Sequence, residues 1–178
     1  MTMLRGWSGS LRRGFMRSDQ GSSLVELAIS LGLFLVLVLG SMEFSLYFLA
    51  YNEVTDAARA ATRWAAVRGS DSCANVPGLS GCNASASDVQ TYVQSIGYPM
   101  LIPGNIQVAT AWCQASTSIP VTWAACSSAT GNEPGNQVQV SVSYGVPIFI
   151  PLLSNAVSLF TQTASINASS TSSMVVVQ

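Results

Sequence analysis

The stretch Gly21-Ser22-Ser23-Leu24-Val25-Glu26 opens an apolar run that continues to Tyr51 and decides how this chain is built. Beyond Glu26, the run contains one further charged residue, Glu43. An acidic side chain in an apolar membrane helix is costly unless something pairs with it, so each carboxylate is a functional candidate. The sequence therefore predicts a membrane helix that carries a functional carboxylate near its start.

The apolar run is close to the length that a bilayer requires. From Leu27 to Met42 there are 16 uncharged residues, which make about 24 Å of helix where a full span takes about 20 residues. Glu43 then interrupts the run, so the whole stretch spans a membrane only if Glu43 snorkels or is paired. We place the transmembrane part at about 24–51. The arginines, four before the run and three after it, favour a cytoplasmic N-terminus only slightly.

Helical pattern continues beyond the apolar run. No Pro or Gly occurs between Ser41 and Arg68, and small residues recur there at spacings of three and four, which predicts one long helix over 22–68. Small residues on one face allow a second backbone to approach closely, as at membrane helix interfaces. The alternative is that alanine simply favours helix. The candidate packing residues are Ala57, Ala58, Ala61 and Ala65.

All four cysteines follow the predicted helix, at Cys73, Cys82, Cys113 and Cys126. The chain has no His and no Cys-x-x-Cys, so the spacings do not fit a zinc site. Disulfides in an oxidising compartment are the better interpretation, and they place residues 69–178 outside the cytoplasm. Three pairings are possible. We favour the sequence-local one, Cys73–Cys82 with Cys113–Cys126.

Residues 69–178 carry the patterns of a small mixed domain. A helix over 85–96 is predicted by Ser85 or Ser87 as N-cap and by an apolar stripe that ends before Gly97. Alternating patterns predict strands, with one apolar and one polar face. Those strands are 106–112, 138–144, and 164–168 leading to 174–177. The predicted fold class is α+β: a long N-terminal helix followed by a disulfide-stapled head with an antiparallel sheet and one short helix.

The segment 146–160 is too apolar for an ordinary loop. Pro147 and Pro151 exclude a second membrane span, because proline breaks both helices and strand ladders. Two interpretations remain for this segment. It packs under the sheet as core, or it forms an exposed patch for a partner or for the membrane surface.

Composition excludes several classes of function. All seven basic residues are arginines and none follows Arg68, so residues 69–178 offer no cation to a nucleic acid. The head's acids, Asp71, Asp88 and Glu133, are widely spaced, and the chain has neither His nor Lys. The usual catalytic bases and metal ligands are therefore missing. We expect no enzyme, no metal and no cofactor.

Three motifs together resemble a known family. They are Gly21 to Ala28, then Gly40-Ser41-Met42-Glu43-Phe44, and then Ala57 to Ala65. The first resembles the class III signal of type IV pilins, in which a peptidase cuts after a glycine and leaves a glutamate at the fifth position. Together the motifs resemble the TadE-like family of pilin-related proteins from tight-adherence systems.

This resemblance implies a processed structural subunit. Residues 1–21 would be a basic leader, removed by a prepilin peptidase between Gly21 and Ser22. Glu26 would then pair with the new Ser22 amine, and Glu26 and Glu43 would act in assembly and register. The partners implied are the peptidase and other pilin subunits. The resemblance also implies that the protein first lies in the bacterial inner membrane, which it crosses once, and then joins a surface filament for adhesion.

The alternative is a protein that keeps its leader. It would be a membrane-anchored envelope protein whose head binds a partner through the apolar patch from Pro147 to Phe160.

Overall fold

A computed structural model describes residues 19–116, 120, 123–127, 131–150, 155 and 165–177. Contacts divide the chain into a unit that ends at Val38 and a unit from Leu39 to Gln178. Two sequence predictions fall largely outside the described residues: the leader up to residue 18, and most of the segment 151–160.

The first element, α1, runs from Asp19 to Ala66 and has 48 residues. By length and composition, its part from Gly21 to Ala66 is a candidate membrane span. Every residue from 21 to 39 is exposed, including the large apolar side chains. A helix that is apolar on all sides needs an apolar environment, so the N-terminal part of α1 fits a bilayer or the interior of an assembly.

The sheet of the second unit has four antiparallel strands in the order β2-β1-β3-β4. Their bounds are Gln107–Ala115 for β1, Trp123–Ser127 for β2, Gln137–Pro147 for β3 and Ser165–Val175 for β4. Between α1 and β1 lie two short helices, α2 (Ser72–Asn75) and α3 (Ala86–Ile96), and a 3-10 turn, Pro103–Asn105. The α+β class is therefore confirmed, with the long helix, the antiparallel sheet and the short helix in the predicted order.

Two features of the sheet differ from the prediction. β2 was not predicted, and the two stretches 164–168 and 174–177 are joined into the single strand β4. Residues 169–173, which are Ser and Thr, pair in register with β3, for example Thr171 with Ser141. The local sequence of β4 predicts a strand only weakly, and its pairing with β3 stabilises the extended conformation, because strand preference depends on context.

The core lies on one face of the sheet. On β3 the residues Val138, Val140 and Val142 are fully buried, as their alternation predicted. Helix α3 covers them with Val89 and Val93, which belong to the same buried cluster. The sequence prediction of one apolar and one polar sheet face is thereby realised.

The C-terminal part of α1 belongs to this core as well. Its alanine face is buried, with Ala57, Ala58 and Ala61 wholly inaccessible to solvent, in one cluster with the β3 valines. Thr62 Oγ1 donates to the carbonyl of Ser172 on β4 at 3.3 Å. The compact head therefore includes α1 residues from Leu39 onward, in addition to the predicted segment 69–178.

Both disulfides follow the sequence-local pairing. Cys73 is bonded to Cys82, and Cys113 to Cys126. Cys113 lies on β1 directly opposite Cys126 on β2, so the second bond staples the hairpin at one edge of the sheet. No cysteine is free.

Candidate processing and assembly site

Gly21 and Ser22 lie in the first turns of α1, and both are exposed. A Cβ added at Gly21 would meet no atom within 4 Å, so nothing in the fold requires glycine there. Glycine at this position is therefore available as a recognition feature for another protein. In this structure the Gly21–Ser22 peptide bond is helical.

Glu26 lies one turn further along, on the same exposed stretch of α1. Together with Gly21, Ser22 and Val25 it lines a shallow depression on the helix surface. No hydrogen bond or ion pair reaches its carboxylate from the described residues of the chain. An unpaired carboxylate among exposed apolar side chains is a strong acceptor for a cation brought from elsewhere.

Glu43 has a different environment. It is half-buried, and its Oε1 accepts the backbone N–H groups of Phe149 at 2.8 Å and of Ile150 at 2.7 Å. The sequence prediction required Glu43 to be paired or to snorkel, and the structure pairs it inside the chain. Its predicted part in assembly stays a prediction.

In the segment 146–160, the described residues 146–150 support both interpretations that the sequence left open. Val146 is buried and belongs to the core cluster, whereas Phe149 is 65% exposed. Core packing therefore describes the beginning of the segment, and an exposed apolar patch describes residue 149.

The alanine face of α1 packs inside the head. Ala57, Ala58, Ala61 and Ala65 are each at most 1% exposed and lie in the core of the head. They share one buried cluster with residues of β3 and α3. Whether the same helix also packs on other subunits stays a prediction.

Three contacts made by α1 residues were not found from the sequence. Glu53 accepts the backbone N–H of Met100 at 3.0 Å. Trp64 stacks on Tyr92 of α3 with ring centroids 4.9 Å apart, and the Arg68 guanidinium lies 4.3 Å from the Trp64 ring centroid. The spacing of Trp64 and Arg68 could have suggested their contact, but nothing local points to Met100 or Tyr92.

Among the acids of the head, Asp88 has a structural role. Asp88 forms a capping box with Ser85 at the start of α3, and the Ser85 hydroxyl and backbone N–H lower the pKa of Asp88. Among the described residues, no three His, Cys, Asp or Glu lie close enough together to hold a metal ion.

The part of α1 that carries Gly21, Ser22, Glu26 and Glu43 is also the part that a known family describes. Residues 21–63 match the family model of the TadE-like protein. Over these residues the long helix is similar to that family. No curated protein and no solved structure matches the chain significantly. The match covers 43 of the 178 residues and none of the sheet.

Proposed function

We propose that this chain is a pilin-like subunit of a Tad-type surface filament. A prepilin peptidase cuts it after Gly21, and the exposed part of α1 then packs into the filament or at its tip, where it serves adhesion. One observation carries the proposal. Within the TadE-like match, α1 presents Gly21, Ser22 and a Glu26 that no described residue pairs, on the stretch 21–39 where every residue is exposed.

Cleavage would create a cation next to Glu26, which has none among the described residues. A new α-amino group on Ser22 would lie four residues before Glu26, one helical turn away. Pairing the two charges in an apolar environment offsets their desolvation, and such buried pairs are best attested as devices that set register. The cation that pairs with Glu26 would be the Ser22 amine of the same subunit or of a neighbouring one.

Removal of the leader also changes the charge of the chain. The mature protein would hold three arginines and seven acids, a net charge of −4. The outer face of the sheet would remain almost uncharged and rich in Ser, Thr and Gln. Such a surface suits dense lateral packing, because no like charges repel between neighbours.

The first experiment is mass spectrometry of the N-terminus, in cells with and without the prepilin peptidase. We expect the chain to begin at Ser22 only when the peptidase is present. Gly21→Leu should block processing, whereas Gly32→Leu should not, although an added side chain meets no atom within 4 Å at either position. A chain that still begins at Met1 in both strains would contradict the proposal and leave the membrane-anchored alternative.

A second experiment separates processing from assembly. Glu26→Gln keeps the shape of the side chain and removes its charge. We expect normal cleavage but a loss of the protein from the sheared filament fraction, since the Ser22 amine would lose its partner. Full incorporation of the Gln variant would show that the charge pair has no part in assembly.

A further inference from the structure

The contact between Glu43 and the segment after β3 borders an apolar groove in the head unit. The groove has a volume of about 470 Å³. Gly40, Phe44 and Tyr47 line it from α1. The opposite side is formed by Val146 of β3, Ile148 just after β3, and Ile166 of β4. Phe149, at its border, and Phe44 are 65% and 68% exposed. So much exposed aromatic surface in one place indicates that something apolar covers it.

The position of the groove along the sequence indicates what that cover is. The uncharged run from Leu27 to Met42 accounts for about 24 Å of a hydrocarbon core about 30 Å thick. Glu43 and the next turn therefore fall where hydrocarbon gives way to headgroups. Tyrosine is enriched at that level, and Tyr47 and Tyr51 follow Glu43 on α1.

The hydrogen bonds of Glu43 fit such an environment. β3 ends at Pro147, so the N–H groups of Phe149 and Ile150 have no strand partner beyond this point. In contact with lipid, backbone donors without water must be satisfied by the protein itself. Glu43 satisfies both with one oxygen, and the two donors in turn stabilise its charge.

We propose that the segment Pro147–Ile150 is a membrane-surface anchor of the head. Phe149 enters the outer leaflet of the bilayer that α1 crosses, and an acyl chain of that leaflet fills the groove. Glu43 holds the segment on α1 at this depth. The groove is lined in part by the helix that crosses the bilayer, so the lipid that covers the span is continuous with the lipid that fills the groove. The proposal requires that α1 spans a bilayer but not that the leader is cleaved.

The test uses the full chain in nanodiscs with one introduced cysteine carrying an environment-sensitive fluorophore. The four native cysteines are all in disulfides, so the new thiol labels alone, and intact mass confirms the native bonds. Phe149→Cys reports on the anchor. Ser173→Cys is the control, because it is exposed and lies on β4 seven residues from Ile166, about 23 Å along the strand.

With doxyl-labelled phospholipid, we expect roughly half of the emission to be quenched at position 149 and less than about a tenth at position 173. Equal, weak quenching at the two positions would overturn the proposal. A blue-shifted label at 149 that lipid does not quench, and whose shift grows with protein concentration, would also overturn it, since a second copy of the chain would then fill the groove.

A pair of variants tests the part of Glu43. Glu43→Ala removes the acceptor of both N–H groups and should reduce the quenching at 149 to the level at 173. Glu43→Gln keeps an oxygen at the Oε1 position and should retain most of the quenching. Quenching that survives Glu43→Ala would show that the segment stays at the bilayer without this contact. Both variants are made with the leader uncleaved, so failure here is distinct from failure of pilin processing.

Discussion

At the scale of single residues, the acids of this chain serve different ends according to what surrounds them. Glu43 and Glu53 lie ten positions apart on α1, and each accepts backbone N–H groups from a segment of the head. Glu26 has no such donor among the described residues. On one helix, therefore, Glu43 and Glu53 stabilise the fold, whereas Glu26 is available to bind a partner.

The contact of Glu53 can be measured against a neighbouring acid. Glu53→Ala leaves the N–H of Met100 without its acceptor in a half-buried site, and we expect a loss of about 1–2 kcal/mol in the free energy of unfolding. Asp56→Ala is the control, because its ion pair with Arg59 has an N–O distance of 3.8 Å and lies at the surface. Such pairs contribute about 0–1 kcal/mol. Equal losses in denaturant unfolding would contradict this role of Glu53.

The capping box of α3 makes part of the stability depend on pH. Since hydrogen bonds from Ser85 lower the pKa of Asp88 in the folded state, the contribution is fully present above the ordinary aspartate pKa, about 4. It is lost as the pH falls through the lower folded value. Thermal unfolding at pH 6 and pH 3 should therefore show a larger drop for the native chain than for Asp88→Asn. Parallel drops would refute this effect.

At the scale of elements, α1 and the sheet are joined through alanines. Ala58 is wholly buried, and Ala60 on the other side of the helix is only partly buried. Ala58→Leu should destabilise the head by about 1–3 kcal/mol, because a well-packed core must shift to admit three further carbons. Ala60→Leu should change the free energy of unfolding by less than about 0.5 kcal/mol. A reversed order in denaturant unfolding would show that this face of α1 does not pack in the core.

At the scale of the whole molecule, the two disulfides fasten separate parts of the head. Cys73–Cys82 closes the loop that follows α1, while Cys113–Cys126 holds the edge hairpin of β1 and β2. In the chain-entropy account, loops of this size stabilise by about 3 kcal/mol each. Such bonds persist in an oxidising compartment.

The contribution of each bond follows from thermal unfolding with and without a reductant. Dithiothreitol should lower the Tm of the native chain, and it should lower it less in the double variants Cys73→Ser with Cys82→Ser, and Cys113→Ser with Cys126→Ser. The chain lacking all four cysteines serves as the control and should not respond. An unchanged Tm of the native chain after complete reduction would contradict a stabilising role.

The sequence by itself determined what depends on near neighbours. The long helix and the place of Glu26 near Gly21 rest on residues a few positions apart. For the cap of α3 the sequence offered Ser85 or Ser87, and for the cysteines it favoured the local pairing among three. The structure has Ser85 as the cap and the local disulfides. Composition and i to i+4 spacing report such features directly. The position of the candidate processing site was readable for the same reason.

The tertiary structure alone decided what depends on distant residues. Glu43 and Phe149 are 106 positions apart, and the Ser- and Thr-rich middle of β4 is a strand because β3 pairs with it. The strand β2 and the packing of the alanine face of α1 in the core also depend on distant residues. The energy of each of these features comes from a contact that exists only after the chain has folded, so no local pattern records it.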